Sequence, residues 1–91
     1  MEHESLTKKD VLVMAISAFI LVDVTGHHTK SAYKTMMRIQ GVKALSAVTG
    51  PHDLIAQIEA ETIEELNEIV LSRIRGIDGV VKTSTALVLN L

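Results

Sequence analysis

The side chains of this 91-residue chain that could do chemistry are four histidines, eleven carboxylates and the residues of one tight turn. There is no cysteine, so thiolate nucleophiles, disulfides and thiolate metal sites are excluded, and no G-x-S-x-G elbow, P-loop or G-x-G-x-x-G turn occurs. A metal site would need His27 and His28 to converge with His52 or Asp23. Adjacent residues on a loop rarely aim at one ion, and two solvated histidines explain the pair, so we assign no metal and no cofactor. Glu59, Glu61, Glu64, Glu65 and Glu68 cluster like an acid–base site. They also surround the start of a predicted helix, where the dipole favours carboxylates, and on that ground we assign no catalytic residue.

The turn Thr49-Gly50-Pro51-His52-Asp53 holds more information. Glycine permits unusual dihedrals, proline stiffens the loop, and a carboxylate stands at the edge of a strand. Free backbone N–H groups in such a loop can hold a carboxylate, and Asp53 can receive an ammonium. An amino acid would satisfy both. Gly, Pro and Asp are equally the ordinary residues of a hairpin turn, so the residues alone leave both readings open.

The elements that must position this turn follow from hydrophobic period. Residues 15–24 (AISAFILVDV) are apolar without alternation, as in a central strand covered on both faces. Residues 29–39 place Ala32, Tyr33, Met36, Met37 and Ile39 at helical spacing, and the helix stops at Gly41. Residues 42–48 and 53–60 read as two strands of a hairpin, with Pro51 confined to the turn. Thr62 and Glu65 form a capping box for a second helix carrying Ile63, Leu66, Ile69, Val70 and Ile74, and Gly76 ends it. Residues 80–89 form a last strand with Thr83, Thr85, Leu87 and Leu89 on one face. Residues 1–14 read as an N-terminal extension to one domain over 15–91.

The pattern I-x-G-V occurs twice between a helix and a strand, at Ile39-Gln40-Gly41-Val42 and Ile77-Asp78-Gly79-Val80. Two βαβ halves joined by the hairpin give an α+β, ferredoxin-like βαββαβ fold: a four-stranded antiparallel sheet, first and third strands central, with two helices on one face. The first strand is nevertheless apolar on both sides, Ile16, Ile20 and Val22 on one and Phe19 and Leu21 on the other. A second copy is the simplest cover, giving a dimeric, α/β-barrel-like assembly through the sheets. With only two aromatics and no cysteine, a short chain gains most from such association.

Composition excludes several classes. Nine basic and eleven acidic residues give a net charge of −2 with no basic stripe, so direct nucleic-acid binding is not expected. The longest apolar run, residues 11–22, falls short of the roughly 20 residues that cross a bilayer, and no cleavage pattern follows it, so we expect a cytoplasmic protein off the membrane.

The string VTGPHDLIAQIEAETIEELNEIV, followed by I-D-G-V and K-T-S-T-A-L-V-L, resembles the effector-binding domain of the Lrp/AsnC transcriptional regulators, the regulation-of-amino-acid-metabolism (RAM) domain. The likeness runs over residues 15–89 and rests on a V-x-G-x-x-D-L hairpin, a capped helix, an I-x-G-V turn and a T-x-T strand. It implies a dimer built through the sheets, dimers joined into rings, and an amino acid or similar effector bound where dimers meet. It assigns the effector loop to Gly50, Pro51, His52 and Asp53, a bordering position to Leu54, and polar strand positions to Thr83 and Thr85. Relatives usually carry a helix-turn-helix of roughly fifty residues, more than residues 1–14 can form, which reads as a stand-alone version. His52 stands where many relatives have tyrosine, so the effector is left open.

The expectation is a small-molecule-binding, oligomer-forming regulatory module that catalyses nothing, with full-length Lrp/AsnC regulators as candidate partners. Its rivals are a small dimeric monooxygenase-like enzyme, which would need polar groups between sheet and helices, an ACT-type amino-acid-binding domain, and an oligomerisation unit whose loop binds nothing.

Overall fold

A computed structural model describes residues 15–91. The elements are β1 (Ile16–Val24), a 3-10 turn (Gly26–His28) leading into α1 (Thr29–Met36), β2 (Val42–Ala47), β3 (Leu54–Ala60), α2 (Ile63–Glu68) continued by a π-helical turn (Ile69–Ile74), and β4 (Val80–Leu87). All strand pairs are antiparallel, in the order β2-β3-β1-β4, so β1 and β3 are central as the βαββαβ connectivity predicts. The expected extension, residues 1–14, lies outside the described residues.

Alternation sorts β1 into two faces. Ala18, Ile20, Val22 and Val24 are buried with Leu54, Ala56, Ile58 and Ala60 of β3, against Ala32 and Met36 of α1 and Leu66, Ile69, Val70 and Ile74 of the second helix. Every buried side chain among the described residues is hydrophobic. On the other face Phe19 and Leu21 stand beside Ile55 of β3, with Ala44, Ser46, Ser84 and Ala86 in register on the outer strands. No element of the described residues covers this side, and Phe19 remains 41% exposed.

The second helix starts as its sequence predicts. Glu65 N–H donates to Thr62 Oγ1 at 3.0 Å, and Glu65 Oε1 accepts from Glu61 N–H at 2.6 Å, one residue earlier than a standard capping box. It then widens: Arg75 N–H donates to the Val70 carbonyl, five residues back. The wider turn keeps Leu66, Val70 and Ile74, each four residues apart, against the sheet while Arg73 stays exposed.

The I-x-G-V repeat folds the same way twice. Val42 N–H donates to the Ile39 carbonyl and Val80 N–H to the Ile77 carbonyl, with Gly41 and Gly79 at φ of 104° and 93°. A positive φ at the third position of a four-residue turn calls for glycine. Crowding adds to the demand: a Cβ on Gly41 would come within 2.8 Å of Ile69 Cδ1, and one on Gly79 would overlap the His28 side chain.

Two expected boundaries shift by more than one residue. The first helix ends at Met36 rather than 39, and Met37, expected on the apolar face, is 55% exposed because the chain there turns toward Gly41 through bonds from Arg38 to Thr35 and from Ile39 to Met36. The last strand ends at Leu87 rather than 89, one hydrogen bond (Val88 N–H to the Ser17 carbonyl) before β1 gives out as a partner.

Alanine at either repeat glycine is expected to cost about 1–2 kcal/mol for the backbone alone, with more at Gly79 where His28 must move. Urea unfolding should rank Gly79→Ala as the more damaging of that change and Gly50→Ala, since Gly50 (φ 124°) has open space where the Cβ would go. Equal losses would count against the packing argument.

Candidate ligand-binding site

The turn between β2 and β3 is tied to the end of β1 by Asp53. Its N–H donates to the Val22 carbonyl at 2.9 Å, its carbonyl accepts from Val48 N–H at 3.0 Å, and its Oδ2 accepts from Val24 N–H at 2.8 Å. These bonds fall where β1 and β4 slip out of register: Asp23 pairs with Lys82 and Val24 with Val80, leaving Val81 as the extra, exposed residue of a bulge. Asp53 thus closes the ladder beside an irregular strand end, a structural duty added to any ligand contact.

His52 lies next to it. Its Nδ1 is 2.8 Å from Oδ1 of Asp23, in a pair whose side chains are 28% and 25% exposed. Among the described residues the N–H groups of Gly50 and His52 donate no hydrogen bond. The loop therefore offers two free donors and a pinned carboxylate at one end of the sheet, with an oriented imidazole beside them.

Of the positions carried over from the resemblance, the structure gathers Gly50, Pro51, His52 and Asp53 in this loop. Leu54 follows directly but is fully buried on the helix side, where it supports the loop from the core. Thr83 and Thr85 sit across β1, opposite Val22 and Ile20 and on the helix-side face. Thr83 is half-buried and Thr85 exposed. One chain does not bring them to the loop.

The other sequence candidates separate. The His27 and His28 rings lie tilted against each other with centroids 4.4 Å apart, and no group of three or more metal-ligating side chains gathers among the described residues. Glu59, Glu61, Glu65 and Glu68 line an open cleft with Lys43 and Arg73, and one Glu65 oxygen holds Glu61 N–H. The residue sequence reasoning passed over is Asp23 as the partner of His52. Its signal was present, since it is the one charged residue in the apolar run of β1.

A four-stranded antiparallel sheet with two helices on one face, its other face open and a polar loop between β2 and β3, defines a ferredoxin-like domain. The chain belongs to the Lrp/AsnC ligand binding domain family, whose model matches residues 17–91. It is 32% identical over 72 residues to an uncharacterized HTH-type transcriptional regulator of Pyrococcus horikoshii, a match covering 79% of this chain and 46% of that protein, so the chain spans just under half of this relative. It is also 36% identical over 62 residues to homocitrate synthase of Sulfolobus acidocaldarius, covering 68% of this chain and 13% of the enzyme.

Among solved structures, a Thermus thermophilus protein superposes with a TM-score of 0.80 at 30% identity, covering 84% of this chain and 95% of that one. Escherichia coli AsnC shares the fold with a TM-score of 0.79 at 21% identity, over 84% of this chain and 52% of that one. So does a Neisseria meningitidis transcriptional regulator solved as a complex with L-Met, with a TM-score of 0.78 at 21% identity, over 93% of this chain and 56% of that one. No helix of the described residues is long and apolar enough to cross a membrane.

Asp53→Ala should lower stability by about 1–3 kcal/mol, because Val24 N–H loses its acceptor, and Asp53→Asn should recover much of this through its carbonyl. Thermal unfolding without added ligand checks it. An unchanged midpoint in Asp53→Ala would remove the pinning role.

Proposed function

We propose that this chain is an amino-acid-sensing regulatory module: it binds a small effector at the Gly50, Pro51, His52 and Asp53 loop and assembles through the open face of its sheet into dimers and then rings. It catalyses no reaction. Its domain comprises residues 15–91, preceded by an extension of residues 1–14. It acts in the cytoplasm on full-length Lrp/AsnC regulators by co-assembly, without contacting DNA itself.

The observation that carries this reading is the loop. Free N–H groups at Gly50 and His52 suit an α-carboxylate, and the second oxygen of Asp53 suits an ammonium. A fold relative solved with L-Met supports the ligand class. Thr83 and Thr85, across β1 from the loop of their own chain, would reach an effector only where a second copy brings its loop to them, in keeping with a site between assembled subunits.

The likeness to part of homocitrate synthase favours a second reading of the partner. In that reading the module associates with a biosynthetic enzyme and reports effector levels to it. Affinity capture from the native cell separates the two: recovery of a helix-turn-helix relative supports the first, recovery of an enzyme the second.

Thermal unfolding against single amino acids tests effector binding. A ligand at 100 times its dissociation constant adds about 2.7 kcal/mol, which for a domain of this size raises the midpoint by several degrees. A rise with one or a few amino acids, reduced in His52→Ala, is expected. His52→Ala is more informative than Asp53→Ala, which also loosens the strand end. No rise with any amino acid would demote amino-acid sensing in favour of assembly alone.

A further inference from the structure

We propose that Asp23 is a positioning residue that sets effector specificity: it fixes His52 as the Nδ1–H tautomer and presents Nε2 as a hydrogen-bond acceptor, selecting an amino acid with a neutral carboxamide side chain over one with a second carboxylate. This rests on the reading of the loop as the amino-acid site.

A carboxylate oxygen can only accept, so the 2.8 Å contact between Asp23 Oδ1 and His52 Nδ1 makes Nδ1 the donor. In the neutral ring that leaves Nε2 with a lone pair and no proton, the tautomer being set by the bond the other nitrogen makes. Both partners are held. Asp23 pairs with Lys82 of β4 at the last position before the bulge, and its neighbours Val22 and Val24 are both bonded to Asp53. His52 sits between Pro51, whose φ is fixed, and Asp53, whose backbone and side chain are bonded to β1. The pair is about three-quarters shielded from solvent, so it orients the ring more firmly than a surface pair would.

Among the described residues Nε2 has no hydrogen-bond partner. The free N–H groups of Gly50 and His52 account for an effector's α-carboxylate, and Asp53 for its ammonium. Nε2 is then the loop group left for the effector's side chain, and an acceptor there prefers an N–H donor to a carboxylate oxygen.

The test uses the full chain, 15N-labelled, with L-glutamine, L-asparagine, L-glutamate and L-aspartate as probes. NMR of the imidazole nitrogens, at a pH where the His52 titration itself shows the ring neutral, should report the Nδ1–H tautomer. The carboxamides should bind about tenfold more tightly than the acids, the scale of one net hydrogen bond. Asp23→Ala should lose both the tautomer and the preference, and Asp23→Asn, whose carbonyl still accepts, should restore them.

An Nε2–H tautomer in the wild-type chain would overturn the positioning role while leaving amino-acid sensing intact, and this result needs no variant to fold. Acids binding as tightly as carboxamides would overturn the specificity. Binding of none of the four would end the carboxamide assignment, and silence across all other amino acids as well would place the failure in the underlying reading of the loop.

Discussion

The two-sided apolar character of β1 is the constraint on which the rest of this structure depends. Its inward side chains, Ala18, Ile20, Val22 and Val24, form the middle of the only core of the described residues, and both helices are placed by the need to cover them. Its outward side chains, Phe19 and Leu21, have no such cover. With Ile55 they form an apolar ridge flanked by the small residues Ala44, Ser46, Ser84 and Ala86, a profile over which another sheet can settle at about 10 Å. A chain of this size with two aromatics and no disulfide has little stability to spare, so burying that ridge against a second copy is the inexpensive solution.

The same strand organises the loop. Because β1 ends in a bulge against β4, Val24 N–H falls to the Asp53 carboxylate, and the preceding residue, Asp23, is left facing His52. An irregularity in one ladder thereby becomes the support of the hairpin on the other side of the strand. The loop is held in shape by the fold, and the groups it leaves free are those an amino acid would use.

Much of this was legible in the sequence because it depends on local patterns. The apolar run of residues 15–24 signalled a central strand, of which the structure buries one face and leaves the other open, and the twice-used I-x-G-V pattern marked two turns with one geometry. Thr62 and Glu65 announced the second helix. Tertiary terms were less legible. Met37 fits the helical period of α1 but is exposed, since the turn into Gly41 overrides the period. The π-helical turn that keeps Ile74 inward leaves no mark in composition. The loop was readable as a turn, but the Asp23–His52 contact joins residues twenty-nine positions apart through a register that no single sequence displays. Leu54, placed by resemblance at the border of the site, lies in the core for the same reason: alternation from Asp53 turns it inward.

Sedimentation equilibrium of the purified chain at micromolar concentration tests the central claim, that the open face of β1 is an interface between copies. The account predicts a dimer or an even-numbered larger species that dissociates when Leu21→Lys places a charge on the ridge. A stable monomer for the unaltered chain would contradict it, because Phe19, Leu21 and Ile55 would then stand in water with nothing to cover them.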